Sequence, residues 1–272
     1  MRHRPAALTA AVFLAAVGLG PVPSAAAAET VAWAPAASAA IHPGIQTYDA
    51  KGAQCTANFV YTDKAGDVFL GQAAHCTSDS GELSGSGCET ESSPLGSAVD
   101  LGNNITGTLA YSSWLAMQKA GEKDENACLN NDFALIKIPA SAVGKVNPSV
   151  PVFGGPTGVN TVGLQTGDPV VGIGNSGLRG GVEAPLHGFA LTDDPSGWYH
   201  LVYVLPPGVP GDSGGGFMDA KGQVVGVLVS LNSLPPGSNG LSDLGRALAY
   251  AQQHAGLKGL HLVHGTEAFT GA

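Results

Sequence analysis

The chain has 272 residues with 12 basic and 21 acidic side chains, a formal net charge of −9, and 12% charged against 44% hydrophobic residues. So acidic a chain is a poor binder of nucleic acid or of anionic membranes, whose phosphates call for clustered Lys and Arg. Its 40 glycines and 18 prolines exclude long helices as the dominant element and favour many short strands and turns.

Residues 1–28 read as a secretory signal: Arg2 and Arg4 at the start, an apolar run over 6–19, and small residues from Ser24 to Ala28. The run is too short to span a bilayer, so a secreted, extracellular protein is expected. Its removal leaves 10 basic against 21 acidic side chains, a net charge of −11. The remaining chain, about 244 residues, is enough for one domain or for two packed barrels. Residues 29–40 are alanine-rich without alternation and read as a leader or loose arm.

Residues 57–61 and 67–70 read as two strands joined by a turn at Gly66, with His75 at their exit. A similar strand-turn-strand pattern recurs over 216–229. Residues 77–127 are Ser- and Gly-rich, give little periodic signal and read as loops and short strands. Residues 133–138 form a compact apolar strand with Asp132 at its mouth and Pro139 at its end. Asp124, in a charged run, reads as solvated surface. Residues 141–156 read as a link, after which 168–174 and 198–204 supply apolar strands. Leu241, Leu244, Leu248 and Ala251 recur at helical spacing, with Ser242 or Asp243 as cap and Gly256 as stop. Asp63 and Asp67 read as turn residues and His261 and His264 as surface histidines. The four cysteines lack the Cys-x-x-Cys spacing of a zinc site, so no metal is expected; in an exported chain they read as two disulfides, with three possible pairings.

The most telling stretch is Pro210-Gly211-Asp212-Ser213-Gly214-Gly215-Gly216. A serine among these glycines sits in a tight curve, with its hydroxyl exposed and neighbouring N–H groups able to converge. To act as a nucleophile it needs a base and an orienting carboxylate. His75, in Gln72-Ala73-Ala74-His75-Cys76, and Asp132, in Asn130-Asn131-Asp132-Phe133, are the candidates. With these three boxes in the order His, Asp, Ser, over roughly residues 41–256, the chain resembles the chymotrypsin-like (trypsin-fold) serine peptidases of the secreted bacterial type.

The resemblance implies an all-β fold: two six-stranded antiparallel β-barrels packed together, with a C-terminal helix. Residues 41–145 would form the first barrel with His75 and Asp132, and 146–272 the second with Ser213 and the helix. It also implies a serine endopeptidase working through an acyl-enzyme, with the oxyanion held by the N–H groups of Gly211 and Ser213. The floor of the primary pocket falls on Pro207, where trypsin-like members carry an aspartate, so an apolar or small residue is expected before the scissile bond. Ser230, Leu231 and Asn232 correspond to the strand beside the substrate backbone. The family's bridge next to its histidine implies Cys55–Cys76, leaving Cys88–Cys128. No cofactor is implied; the partners are polypeptide substrates and protein inhibitors, and the enzyme is a monomer. Many members activate by pairing a new N-terminus with the aspartate before the serine. Asp212 is present, but the nearest match to that N-terminus, Ile41-His42-Pro43-Gly44, departs from the family's pattern and leaves that route open. Two other functions use the same residues: a catalytically silent binding protein on this fold, and an esterase.

Overall fold

The structure is a computed structural model and describes residues 31–78 and 85–271. The expected signal segment, 1–28, lies outside the described residues. The first half builds β1 (Gln46–Asp49), β2 (Gln54–Thr56), β3 (Val60–Thr62), β4 (Val68–Gln72), β5 (Ala98–Asp100), β6 (Thr106–Ser112), α1 (Ser113–Ala120), α2 (Glu125–Asn130) and β7 (Ala134–Lys137). The second builds β8 (Gly158–Val159), β9 (Pro169–Gly174), β10 (Ala184–Asp193), β11 (Tyr199–Leu205), β12 (Gly216–Asp219), β13 (Gln223–Ser233), β14 (Pro236–Asp243), α3 (Leu244–His254) and β15 (His261–Leu262).

In the second sheet, β12-β9-β10-β11-β14-β13 form a ring closed by the β12–β13 pairing, with β8 added at one edge. The first sheet runs β15-β3-β4-β7-β6-β5-β1-β2. Its two ends are joined by the chain itself. Ala57 N–H bonds to Ile45 O at 2.9 Å, continuing the pairing with β1, and Asn58 N–H bonds to Gly71 O at 2.8 Å, continuing the pairing with β4. β2 and β3 are thus one strand bent at 57–59, and the first sheet curls into a six-membered barrel, as the second does.

The sequence dictates much of this locally. Val60 pairs with Leu70 and Thr62 with Val68 across the turn containing Gly66, whose φ of 82° suits glycine. β7, paired with β4 on one edge and β6 on the other, is buried along Ala134, Leu135 and Ile136 because both faces are covered: Leu135 packs in the core that holds Phe59 and Val171, and Ala134 and Ile136 in the one that holds Val60 and Leu109. Leu244, Ala247, Leu248 and Ala251 form the buried stripe of α3, Asp243 caps it by accepting the Arg246 N–H, and the chain leaves through Gly256 at φ 71°. Phe59, Tyr61 and Phe133 of the first barrel share one core with Val171, Met218 and Val227 of the second and with α3. That shared core sets the barrels face to face.

Four regions differ from expectation. The Ser- and Gly-rich region holds α1, anchored by buried Trp114 and Met117, and α2, whose N-cap is Asp124 rather than a merely solvated acid. The N-terminal arm is pinned: Ala34 N–H bonds to Val146 O at 2.8 Å, and Asn147 Nδ2 donates to Ala34 O at 2.7 Å. β10 and β14 are long strands in glycine-containing sequence without strict alternation. Finally, the chain crosses the expected boundary near residue 145 twice, because β15 returns to pair with β3. Both disulfides implied by the resemblance are present, Cys55–Cys76 and Cys88–Cys128. Closing a loop of about 22 residues, the first stabilises by about 3 kcal/mol on the chain-entropy account.

Candidate active site

β4 ends at Gln72, and a single turn, Ala74–Thr77, carries His75 into the space between the barrels. Asp132 stands between α2 and β7. Its carboxylate meets the histidine twice: Oδ1 accepts the His75 backbone N–H at 2.9 Å, and Oδ2 lies 2.6 Å from His75 Nδ1. One contact fixes where the histidine segment sits, and the other fixes the ring. Burial alone lowers the imidazole pKa, but the charge of Asp132 and its hydrogen bond outweigh burial and hold it above the ordinary 6.5. Nδ1 then carries the proton and Nε2 is left to accept one. His75 is 3% exposed, and its Nε2 has no hydrogen-bond partner among the described residues.

Ser213 reaches this pair through close backbone contacts. Thr56 N–H bonds to Ser213 O at 2.8 Å, and Cys76 Sγ lies 3.9 Å from the same oxygen. The next residue, Gly214, has φ 90°, and a Cβ there would sit 2.4 Å from Thr56 O and 3.0 Å from Ala73 N. Only glycine allows the serine turn to press against the segment leading to His75. The serine is 8% exposed, and its hydrogen bond to His75 Nε2 is not formed in this structure. Gly211, at φ 97°, turns its carbonyl inward to accept from Gln54 Nε2 at 2.9 Å and Thr56 Oγ1 at 2.8 Å. Among the described residues the N–H groups of Gly211 and Ser213 have no acceptor within the chain. They are two main-chain donors available to a developing negative charge.

Asp212, between them, is wholly buried. Arg179 Nη2 donates to its Oδ2, Val209 N–H to the same oxygen at 2.9 Å, and Ser176 N–H to Oδ1 at 2.9 Å. The aspartate therefore has its cation inside the chain. Ile41 is buried among first-barrel side chains, with its N–H on Lys145 O at 3.1 Å. Sequence reading missed Arg179. The available signal was its isolation: it is the sole Lys or Arg between Lys145 and Lys221.

The residues expected at the substrate pocket lie on two segments. Pro207 is half-buried, and its carbonyl accepts from Arg179 Nη1 at 3.4 Å. The other segment carries Ser230, Leu231, which is 47% exposed, and Asn232. Asn239, buried on β14, ties the two segments together: its Oδ1 accepts Gly208 N–H at 2.9 Å, and its Nδ2 donates to Gly208 O and Ser230 O, each at 3.0 Å. Tyr199 Oη accepts from Asn232 Nδ2 at 3.1 Å and lies 3.4 Å from Ser230 Oγ. Its ring covers Gly240, where a Cβ would be 2.1 Å from that hydroxyl. Residues 206–210 and 230–232 bring no charged side chain. His75 also lies within 4.8 Å of Cys55 and Cys76, but those sulfurs are bonded to each other and are not metal ligands.

No family model matches the chain, and no curated protein matches it significantly. Solved structures do. A Glu endopeptidase is 18% identical over 78% of this chain and 91% of its own, with a TM-score of 0.52. Nocardiopsis protease is 18% identical, covering 82% and 98% at 0.49, and Cellulomonas bogoriensis chymotrypsin is 20% identical, covering 82% and 98% at 0.48. At such identities likeness speaks to architecture. With bacterial chymotrypsin-like serine proteases as its structural neighbours, the chain has the trypsin-like fold of two packed β-barrels.

Proposed function

We propose that this chain is a secreted serine endopeptidase whose catalytic residues are Ser213, His75 and Asp132. The observation that carries the reading is the doubly held His75–Asp132 pair beside a glycine-rich serine turn with two N–H groups that have no acceptor among the described residues. Ser213 Oγ attacks the substrate carbonyl and gives its proton to His75 Nε2; Asp132 keeps the ring in the tautomer that can accept it. The N–H groups of Gly211 and Ser213 hold the oxyanion. His75 then protonates the leaving amine, and water, deprotonated by the same nitrogen, releases the acyl group. A serine–histidine bond absent in the free enzyme is compatible with this course, since such bonds often tighten only around substrate.

Uncharged segments at Pro207 and at Ser230 to Asn232, with Tyr199 laid over Gly240, support preference for a small or apolar residue before the scissile bond. Polypeptides are the substrates, protein inhibitors compete for the same cleft, and the enzyme works as an extracellular monomer. Two disulfides suit that location. A second reading, the silent binding protein, draws on the low exposure of His75 and Ser213. Hydrolysis of a peptide library by purified protein and by His75→Ala separates the two. Cleavage after Ala, Val or Leu, lost in the variant, supports the proposal; faster cleavage after Lys or Arg refutes the pocket assignment, and no cleavage refutes the peptidase.

A further inference from the structure

His75 and Asp132 belong to the first barrel and Ser213 to the second, so a working triad needs a device that registers one barrel against the other at the carboxylate. Both carboxylate oxygens of Asp132 are committed to His75. The backbone around it is held from two sides. From the first barrel, Ser113 Oγ donates to Asn131 O at 2.7 Å and accepts Phe133 N–H at 3.0 Å. From the second barrel, Ser242 Oγ accepts the Asp132 N–H itself at 3.3 Å.

Ser242 is fully buried at the end of β14, paired with Tyr199 on one side and Val227 on the other. The residue after it is clamped. Asp243 Oδ2 lies 2.8 Å from His200 Nε2, its Oδ1 accepts the Arg246 N–H at 2.6 Å, and its own N–H bonds to Trp198 O at 2.8 Å. A second buried His–Asp pair thus fixes the strand end that bears on Asp132. Neither the serine box nor its neighbours contain these residues.

We propose that Ser242 is a positioning residue: its hydroxyl holds Asp132 in register with the nucleophile-bearing barrel, and the His200–Asp243 pair holds Ser242 in place. The inference rests on Asp132 and His75 acting as proposed above. Its physical basis is that a carboxylate shifted by a fraction of an ångström loses the alignment that fixes the imidazole, and misplacement of that size costs reactivity steeply.

The test uses the purified, disulfide-bonded protein, with Ser242→Ala and, as a matched control, Ser238→Ala, which removes another buried hydroxyl of the same strand that has no partner among the described residues. His75 is titrated by NMR, and the rate of labelling by a fluorophosphonate is measured in parallel. Asp132 supplies the charge that bears on the His75 ring among the described residues. Ser242→Ala should therefore move the His75 midpoint downward and slow labelling about tenfold or more, while Ser238→Ala leaves both at wild-type values. A midpoint and rate in Ser242→Ala matching the wild type, or equal effects in both variants, would overturn the proposal. Should wild type fail to label, the peptidase reading falls, and the midpoint alone decides the role of Ser242. Hydrogen exchange in the unsubstituted protein gives a check free of any variant: the Asp132 amide should be protected, and exchange at the rate of an unprotected amide would overturn the contact.

Discussion

Replacing Arg179 with methionine keeps the aliphatic stem and removes the charge facing Asp212. The carboxylate has no solvent access, and the N–H groups of Val209 and Ser176 are its remaining partners. Breaking one side of a buried ion pair costs about 3–5 kcal/mol, because the charge left behind is uncompensated. Arg179 is 22% exposed and two amides still serve the carboxylate, so the lower end, about 3 kcal/mol, is expected. In a domain of this size that lowers Tm by about 6–12 °C. The functional loss should be larger, since Asp212 lies between Gly211 and Ser213, whose N–H groups are proposed to hold the oxyanion; displacing one such donor costs about 10²–10³ in turnover. Thermal unfolding followed by circular dichroism, together with peptide turnover well below Tm, measures both. Adding Asp212→Asn to Arg179→Met removes the stranded charge and should recover much of the stability. An Arg179→Met protein melting within about 2 °C of wild type, less than 1 kcal/mol for a domain of this size, and turning over substrate normally would refute the reasoning.

Because His75 is held above its ordinary 6.5, activity should rise with pH to a midpoint above about 6.5 and then level, if, as proposed, the neutral imidazole is the base. The stability linked to this group has the matching sign: it is fully present below about pH 6.5 and is lost as pH rises through the folded-state value. Asp132→Asn leaves burial as the dominant influence, so the NMR midpoint of His75 in that variant should fall below the ordinary value; a pH-rate profile flat between about 5 and 9 contradicts a histidine base. Ending the chain at Gly256 deletes buried Leu260 and Leu262 and the Phe269 side chain packed on the shared core, worth about 4 kcal/mol or more. A urea midpoint unchanged by that truncation would show that the C-terminal tail is dispensable.

Local pattern carried those parts of the fold that one side of a strand or helix decides. The β3–β4 hairpin, the apolar β7 and the stripe of α3 are visible because burial on one face imposes a period on the sequence. β14 was not visible. Its Pro236-Gly237-Ser238-Asn239-Gly240 run has no alternation, and it is a strand because β11 and β13 pair on both sides and because Tyr199 needs the space that Gly240 leaves. The short α1 escaped for a related reason: eight residues with two buried anchors owe their helix to the barrel beneath them. In the site, the serine, histidine and aspartate boxes could be read because each is compact in sequence. Arg179, Asn239 and Ser242 act across 31 to 110 residues of separation, and a single side chain whose partner is fixed only by the fold leaves no local signature.

The most direct test of an activated Ser213 is intact mass after treating the purified, disulfide-bonded protein with a fluorophosphonate, with Ser213→Ala in parallel. One adduct on the wild type and none on the variant is the predicted result, since only a serine whose proton His75 can take reacts at a useful rate. Absence of an adduct on the correctly folded wild type, or equal labelling of Ser213→Ala, would contradict the assignment of Ser213, His75 and Asp132 as a catalytic unit.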